Sequence, residues 1–120
     1  ERIKRTREIN EMYRKEVGDL FYSFQEERET DRSNMWLTCA LMKGEHRPED
    51  LISHLEKDNI EARRIWKPMH EQPVMKGYRK YINGNSSLLF LQGICLPSGS
   101  DLTNKDMNRI IKSIKTFFSK

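Results

Sequence analysis

Apolar residues recur at three- and four-residue spacing from Ile3 to about Leu20, where Ile9, Met12, Tyr13, Val17 and Leu20 alternate with charged side chains. That period puts them on one face of an α-helix, so the pattern predicts an amphipathic helix packed by one side. Glu26 to Asn34 has almost no apolar content and predicts a loop. The run from Met35 to Met42 follows, nearly continuously apolar, and predicts a central strand covered on both faces. Pro48 suits a first helical turn, and Glu49 and Asp50 suit the positive end of a helix dipole. A second helix is therefore predicted from Pro48 to about Asp58, with Leu51, Ile52 and Leu55 as its apolar face. Asn59 is a left-handed cap in this reading and leads into a strand from Ile60 to Trp66, which Pro68 ends.

After a polar loop containing lysine and glycine, Ser86 or Ser87 is predicted to cap a short helix through Leu91. Gly93 then supplies the conformation that releases the chain into a short strand, Ile94 to Leu96. The last helix is the clearest element. Thr103 and Asp106 have capping-box spacing, and Met107, Ile110, Ile111, Ile114, Phe117 and Phe118 form one stripe whose aromatic end is expected to fill the core. The alternation of helices and strands gives an α/β (α+β) two-layer sandwich, with a small, mostly three-stranded sheet and helices mainly on one face. The unit from 35 to 66 closes as a right-handed parallel or a split crossover.

A length of 120 residues fits one modest core. Glu1 is not a methionine and already lies in a charged helical pattern, which carries the expectation that the chain is part of a longer protein. A net charge of +4, spread over a chain that is 33% charged, calls for no nucleic-acid partner. A basic RNA-binding α/β domain is disfavoured as well, because the strand candidates lack an aromatic platform. Cys39 and Cys95 lie far apart among apolar neighbours and read as reduced, buried thiols. No apolar run approaches the roughly 18 to 20 residues of a membrane span, and the charged start is unlike a signal peptide, so a cytoplasmic protein with no membrane partner is expected.

Chemistry is sparse. His46 and His54 flank one short helix and His70 lies in another loop, so no metal site is expected. No glycine-rich phosphate loop, nucleophile elbow or carboxylate pair is present, and no catalytic residue is assigned. One cluster stands apart: Trp66, Lys67, Met69 and His70, bounded by Pro68 and Pro73 and preceded by Arg63. Lys and His can donate to phosphate or sugar oxygens, while Trp and Met offer flat, polarizable surface to a base or sugar. By composition alone the favoured reading of the cluster is a core tryptophan, a solvated lysine and a turn histidine. A further reading is a non-enzymatic interaction module that docks through the first helix and through Phe21, Tyr22 and Phe24, taken as exposed.

From Arg32 to Phe118, the segments Ser33 to Thr38, Pro48 to Leu51, Asn59 to Arg63, Trp66 to His70, Gln72-Pro73, Leu89-Phe90 and Gly93 to Ser100 occur in an order that resembles the C-terminal small domain of DegT-type nucleotide-sugar aminotransferases. The resemblance is closest to members that aminate UDP-linked 4-keto sugars for glycans and surface polysaccharide. It implies the small domain of a fold-type I aminotransferase, with residues 1–30 as a helix and linker from a large domain and 31–120 as the small domain. It further implies a homodimer that uses pyridoxal phosphate, bound by a lysine of the large domain outside these residues, with glutamate as amino donor. Alone, the chain would then be inactive. Trp66, Lys67, Met69, His70 and, more weakly, Arg63 become substrate contacts by the same resemblance. Two positions depart from the family pattern: Arg64 stands where proline is common, and Glu71 where an apolar residue commonly follows the histidine.

Overall fold

The computed structural model describes residues 1–120 and resolves the pattern into four helices and four strands. Helix α1 spans Arg2–Val17, α2 Pro48–Lys57, α3 Asn85–Gln92 and α4 Asn104–Phe118. Strands β1 Ser23–Phe24, β2 Thr38–Leu41, β3 Arg63–Arg64 and β4 Gly93–Leu96 form one sheet in the order β1-β2-β4-β3. Every pairing is antiparallel. Strands β2 and β3 therefore run parallel to each other with β4 between them, which is the split form of the expected crossover. The fourth strand is a correction to the three expected. Strand β1 is two residues long, too short to show a period, and is held from outside itself by Tyr22 N–H donating to Leu41 O and Gln25 N–H to Cys39 O, both at 2.9 Å.

Two strands are shorter than the apolar runs suggest. Met35 is buried with φ 49°, a left-handed turn ahead of the sheet. Ser33 Oγ accepts from Met35 N–H and Asn34 Oδ1 from Trp36 N–H, so residues 35–37 are bound into a turn and β2 begins only at Thr38. Strand β3 keeps only Arg63–Arg64 of the predicted 60–66, although Ile60 and Ala62 are buried ahead of it.

Helices α1, α2 and α4 cover one sheet face, as expected. Ile9, Tyr13 and Val17 of α1, Leu51 and Leu55 of α2, and Met107, Ile110, Ile111 and Ile114 of α4 meet Ala40, Ile94 and Leu96 of the sheet in one core. Tyr13 is fully buried, and its hydroxyl donates to Pro97 O at 2.8 Å; burial raises its pKa. Asn59 takes the left-handed conformation (φ 54°) that ends α2. The capping box at Thr103 and Asp106 forms as the spacing predicts. Phe117 and Phe118 are only half-buried, stacking edge-on with each other and, through Phe118, with Phe21 at the rim of the core.

Helix α3 is the exception, since none of its residues is buried. Its N-cap is Gly84 in a left-handed conformation, and neither Ser86 nor Ser87 caps it. Gly93 has a different role from the one expected. Its backbone is ordinary extended chain (φ −90°, ψ 139°), but a Cβ there would collide with the Ile65 side chain and the Leu89 carbonyl oxygen. The position needs absence of volume, not freedom of φ.

Phe21 and Phe24 belong to the core, which overturns their reading as a docking surface; only Tyr22 of the three is exposed, at 73%. No helix is long and apolar enough to cross a membrane.

Candidate functional site

The chain from Ile65 to Gly84 contains no long element, only two single helical turns at Met69–Glu71 and Pro73–Met75. Prolines set both: Pro68 (φ −55°) leads into the first and Pro73 begins the second. The loop lies against α3. His70 is mostly covered, with 17% of its side chain accessible. Its Nε2 is 3.2 Å from Ser87 Oγ, which in turn donates to Glu71 Oε1 at 2.5 Å. A serine hydroxyl has one proton, and here it goes to the carboxylate. Ser87 Oγ is thus left to accept from His70 Nε2–H, which fixes the tautomer. The neutral ring then offers Nδ1 as an acceptor, and only the imidazolium can donate to an anion through that atom.

Beside this triad is an open cleft of about 400 Å³, lined by Met69 and His70 together with Tyr78, Arg79, Tyr81 and Ser86 among others. The structure thus brings two of the five expected site residues to one cleft. Trp66 is 64% exposed and does not line it; its ring packs on Trp36, with centroids 6.1 Å apart. Lys67 is exposed, and its side chain has no hydrogen-bond partner within the protein. Arg63 is engaged elsewhere, donating to Glu61 Oε1 at 2.9 and 2.6 Å. Tyr78, Arg79 and Tyr81 were absent from the sequence reading, which took their segment as a polar loop. Alternation of aromatic and basic side chains in Tyr78-Arg79-Lys80-Tyr81 was the available signal.

Both departures from the family pattern are held by the protein itself. Arg64 pairs with Glu49 at the start of α2, donates to Phe90 O on α3 and stacks on the Phe90 ring at 4.1 Å. It therefore joins β3 to two helices, and its buried Nε has no partner. Glu71 is tied to Ser87, 3.6 Å from His70 Nε2.

The match to a family model covers residues 1–115 and is to the DegT/DnrJ/EryC1/StrS aminotransferase family. The chain belongs to that family. It is 35% identical over 123 residues to a Bacillus subtilis (strain 168) protein provisionally named pyridoxal phosphate-dependent aminotransferase EpsN, and 30% identical over 118 residues to the GDP-perosamine synthase of Escherichia coli O157:H7. Each match covers 98% of this chain and 32% of the relative, so the chain spans about a third of their length. A Streptococcus pneumoniae protein, provisionally named a sugar aminotransferase and solved in its PMP form, superposes with a TM-score of 0.81 at 22% identity, over 98% of this chain and 31% of that one. This last likeness shows the fold, the small domain of fold-type I aminotransferases.

The cofactor of these enzymes is pyridoxal phosphate, in agreement with the expectation from sequence. Its covalent lysine does not fit this chain. Every lysine of this chain is exposed, and Lys67 and Lys80 at the candidate surface face no enclosed pocket.

Proposed function

We propose that this chain is the C-terminal small domain of a cytoplasmic aminotransferase that aminates a nucleotide-linked keto sugar, a UDP-4-keto-6-deoxy sugar with glutamate as donor, for glycan or surface polysaccharide synthesis. In this reading residues 1–30 bring the chain in from a large domain that carries the cofactor, 31–120 are the small domain, and the complete enzyme is a homodimer. The isolated chain is inactive, because its own part is to bind and orient substrate and to close the site against water.

The observation that carries the reading is the cleft beside His70 on a chain of this family. Imidazolium Nδ1 of His70 and the Arg79 guanidinium supply donors for phosphate or sugar oxygens; Met69, Tyr78 and Tyr81 supply flat apolar surface for a base or sugar. Lys67 and Trp66, exposed next to the cleft in sequence, and Arg63 on β3 extend the contact in the same proposal. Ser87 and Glu71 hold the imidazole in place.

The test is steady-state kinetics of His70→Ala in the full-length enzyme. KM for the sugar nucleotide should rise about tenfold or more, the size of a lost charge-assisted hydrogen bond, while the visible absorbance of the bound cofactor is retained. Loss of cofactor, or an unchanged KM, would overturn the assignment. Because the Escherichia coli relative is named for a GDP-linked sugar, UDP- and GDP-sugars should be run in competition; preference for GDP would remove the UDP part of the proposal alone.

A further inference from the structure

The two cysteines face each other across the middle of the sheet. Cys39 on β2 pairs in register with Cys95 on β4, and their Sγ atoms are 3.6 Å apart. Met42 N–H donates to Gln92 O at 2.9 Å, so the antiparallel alternation makes Ala40 with Ile94 a hydrogen-bonded pair and Cys39 with Cys95 a non-hydrogen-bonded one. Such pairs hold their Cα atoms about 4.5 Å apart, inside the range of roughly 4.4 to 6.8 Å that a disulfide spans. The two thiols can therefore be joined with little movement of the backbone.

Of the two, Cys39 is half-buried and Cys95 is buried, at 7% exposure. Buried Thr38 and Ala40 alternate with half-buried Cys39 and Leu41 along β2, which puts the thiols on the sheet face turned away from α1, α2 and α4. A hydrogen bond from Cys39 lowers the pKa of Cys95, and the same bond raises that of Cys39, so Cys95 is the sulfur that ionises first. A thiolate beside a thiol at contact distance is the arrangement that thiol oxidation requires.

We propose that Cys39 and Cys95 are an oxidative modification site, a dithiol that hydrogen peroxide converts reversibly to a cross-strand disulfide. Cys95 Sγ attacks one peroxide oxygen; the O–O bond breaks, the departing hydroxide takes up a proton to leave as water, and a sulfenic acid remains. Cys39 Sγ then attacks that sulfur, the S–O bond breaks, and a second water leaves with the Cys39 proton. Two thiols and one peroxide become one disulfide and two waters, the sulfurs losing two electrons that the peroxide gains. A small dithiol reductant reverses the step by exchange. The bond ties the two central strands together and alters the row that continues through Arg63, the register partner of Cys95. It depends on the sheet alone and stands apart from the assignment of substrate.

The experiment treats the folded full-length protein with hydrogen peroxide, alkylates remaining thiols, digests without reduction and maps the peptides by mass spectrometry. The Cys39 and Cys95 peptides should appear linked, two hydrogens lighter than their sum, and should separate after dithiothreitol. Linking should be faster in folded than in guanidinium-unfolded protein by about tenfold or more, since the unfolded chain must first close a long loop. In Cys39→Ser, Cys95 should accumulate as a sulfenic acid that dimedone traps. Free alkylated thiols after peroxide, separate over-oxidation of each cysteine, or equal linking rates in folded and unfolded protein would overturn the proposal.

Discussion

Single residues in this chain act through what they touch, and three show it. Arg7 grips Glu27 with both guanidinium nitrogens, at 2.8 and 2.9 Å, and also donates to Ser33 O, so the charged loop that follows β1 is fastened to α1. The hydrogen bond from Arg7, with help from Ser33 N–H, holds the Glu27 carboxyl down at about 2. A depressed folded-state pKa stabilises the fold fully above the ordinary value of 4.5, and that contribution is lost as pH falls towards about 2. Thermal unfolding should therefore show a falling Tm across this acid window, and Glu27→Gln should reduce the slope there. An identical slope in the variant would mean that the contact is absent in solution. Gly93 is governed by space: Gly93→Ala should lose about 1–3 kcal/mol in urea unfolding, because the Leu89 carbonyl cannot move aside without breaking the turn from α3 to β4. Arg64 has a role no sequence pattern announces, since its partners Glu49 and Phe90 come from two other elements.

At the scale of elements, the long helices were legible because each carries its own instructions. The stripe of α4 and its Thr103–Asp106 box are local, and both form as the spacing requires. Thr103→Ala removes the acceptor for Asp106 N–H and should cost about 1 kcal/mol, measured by chemical denaturation; a loss below a few tenths would show that other contacts already hold the first turn. Strands were less legible. Met35 to Leu37 read as strand by composition, yet Ser33 and Asn34 side chains bind the backbone there into a turn. Strand β1 exists only because β2 offers it an edge. Helix α3 lacks a buried face and starts at Gly84, so its place is set by the loop that lies against it.

For the whole molecule, three helices over one face of a four-stranded sheet give a single core with Ile114 and Ile94 wholly inside it. Ile114→Ala should destabilise the protein by about 2–5 kcal/mol through lost burial and the cavity left behind. A cooperative denaturation curve shifted to lower denaturant is the expected readout, and a change near zero would place α4 outside the core. Exposed apolar groups instead gather along the loop and α3, where Trp66, Val74, Tyr81 and Leu88 all face outward.

Periodicity and capping are local properties, and the sequence alone was enough for α1, α2, α4, the turn at Asn59 and, by resemblance, the family; between a parallel and a split crossover only the structure decided. Pairing partners are not local. That β4 inserts between β2 and β3, that Cys39 faces Cys95, and that Ser87 bonds to Glu71 beside His70 are consequences of chain segments far apart in sequence meeting in space. The cluster from Trp66 to His70 shows the difference within five residues: the sequence marked them together, whereas the fold turns Met69 and His70 into the cleft and stacks Trp66 on Trp36. Side-chain direction in a loop is set by what packs against it, and here that is α3, supplied by residues 85–92.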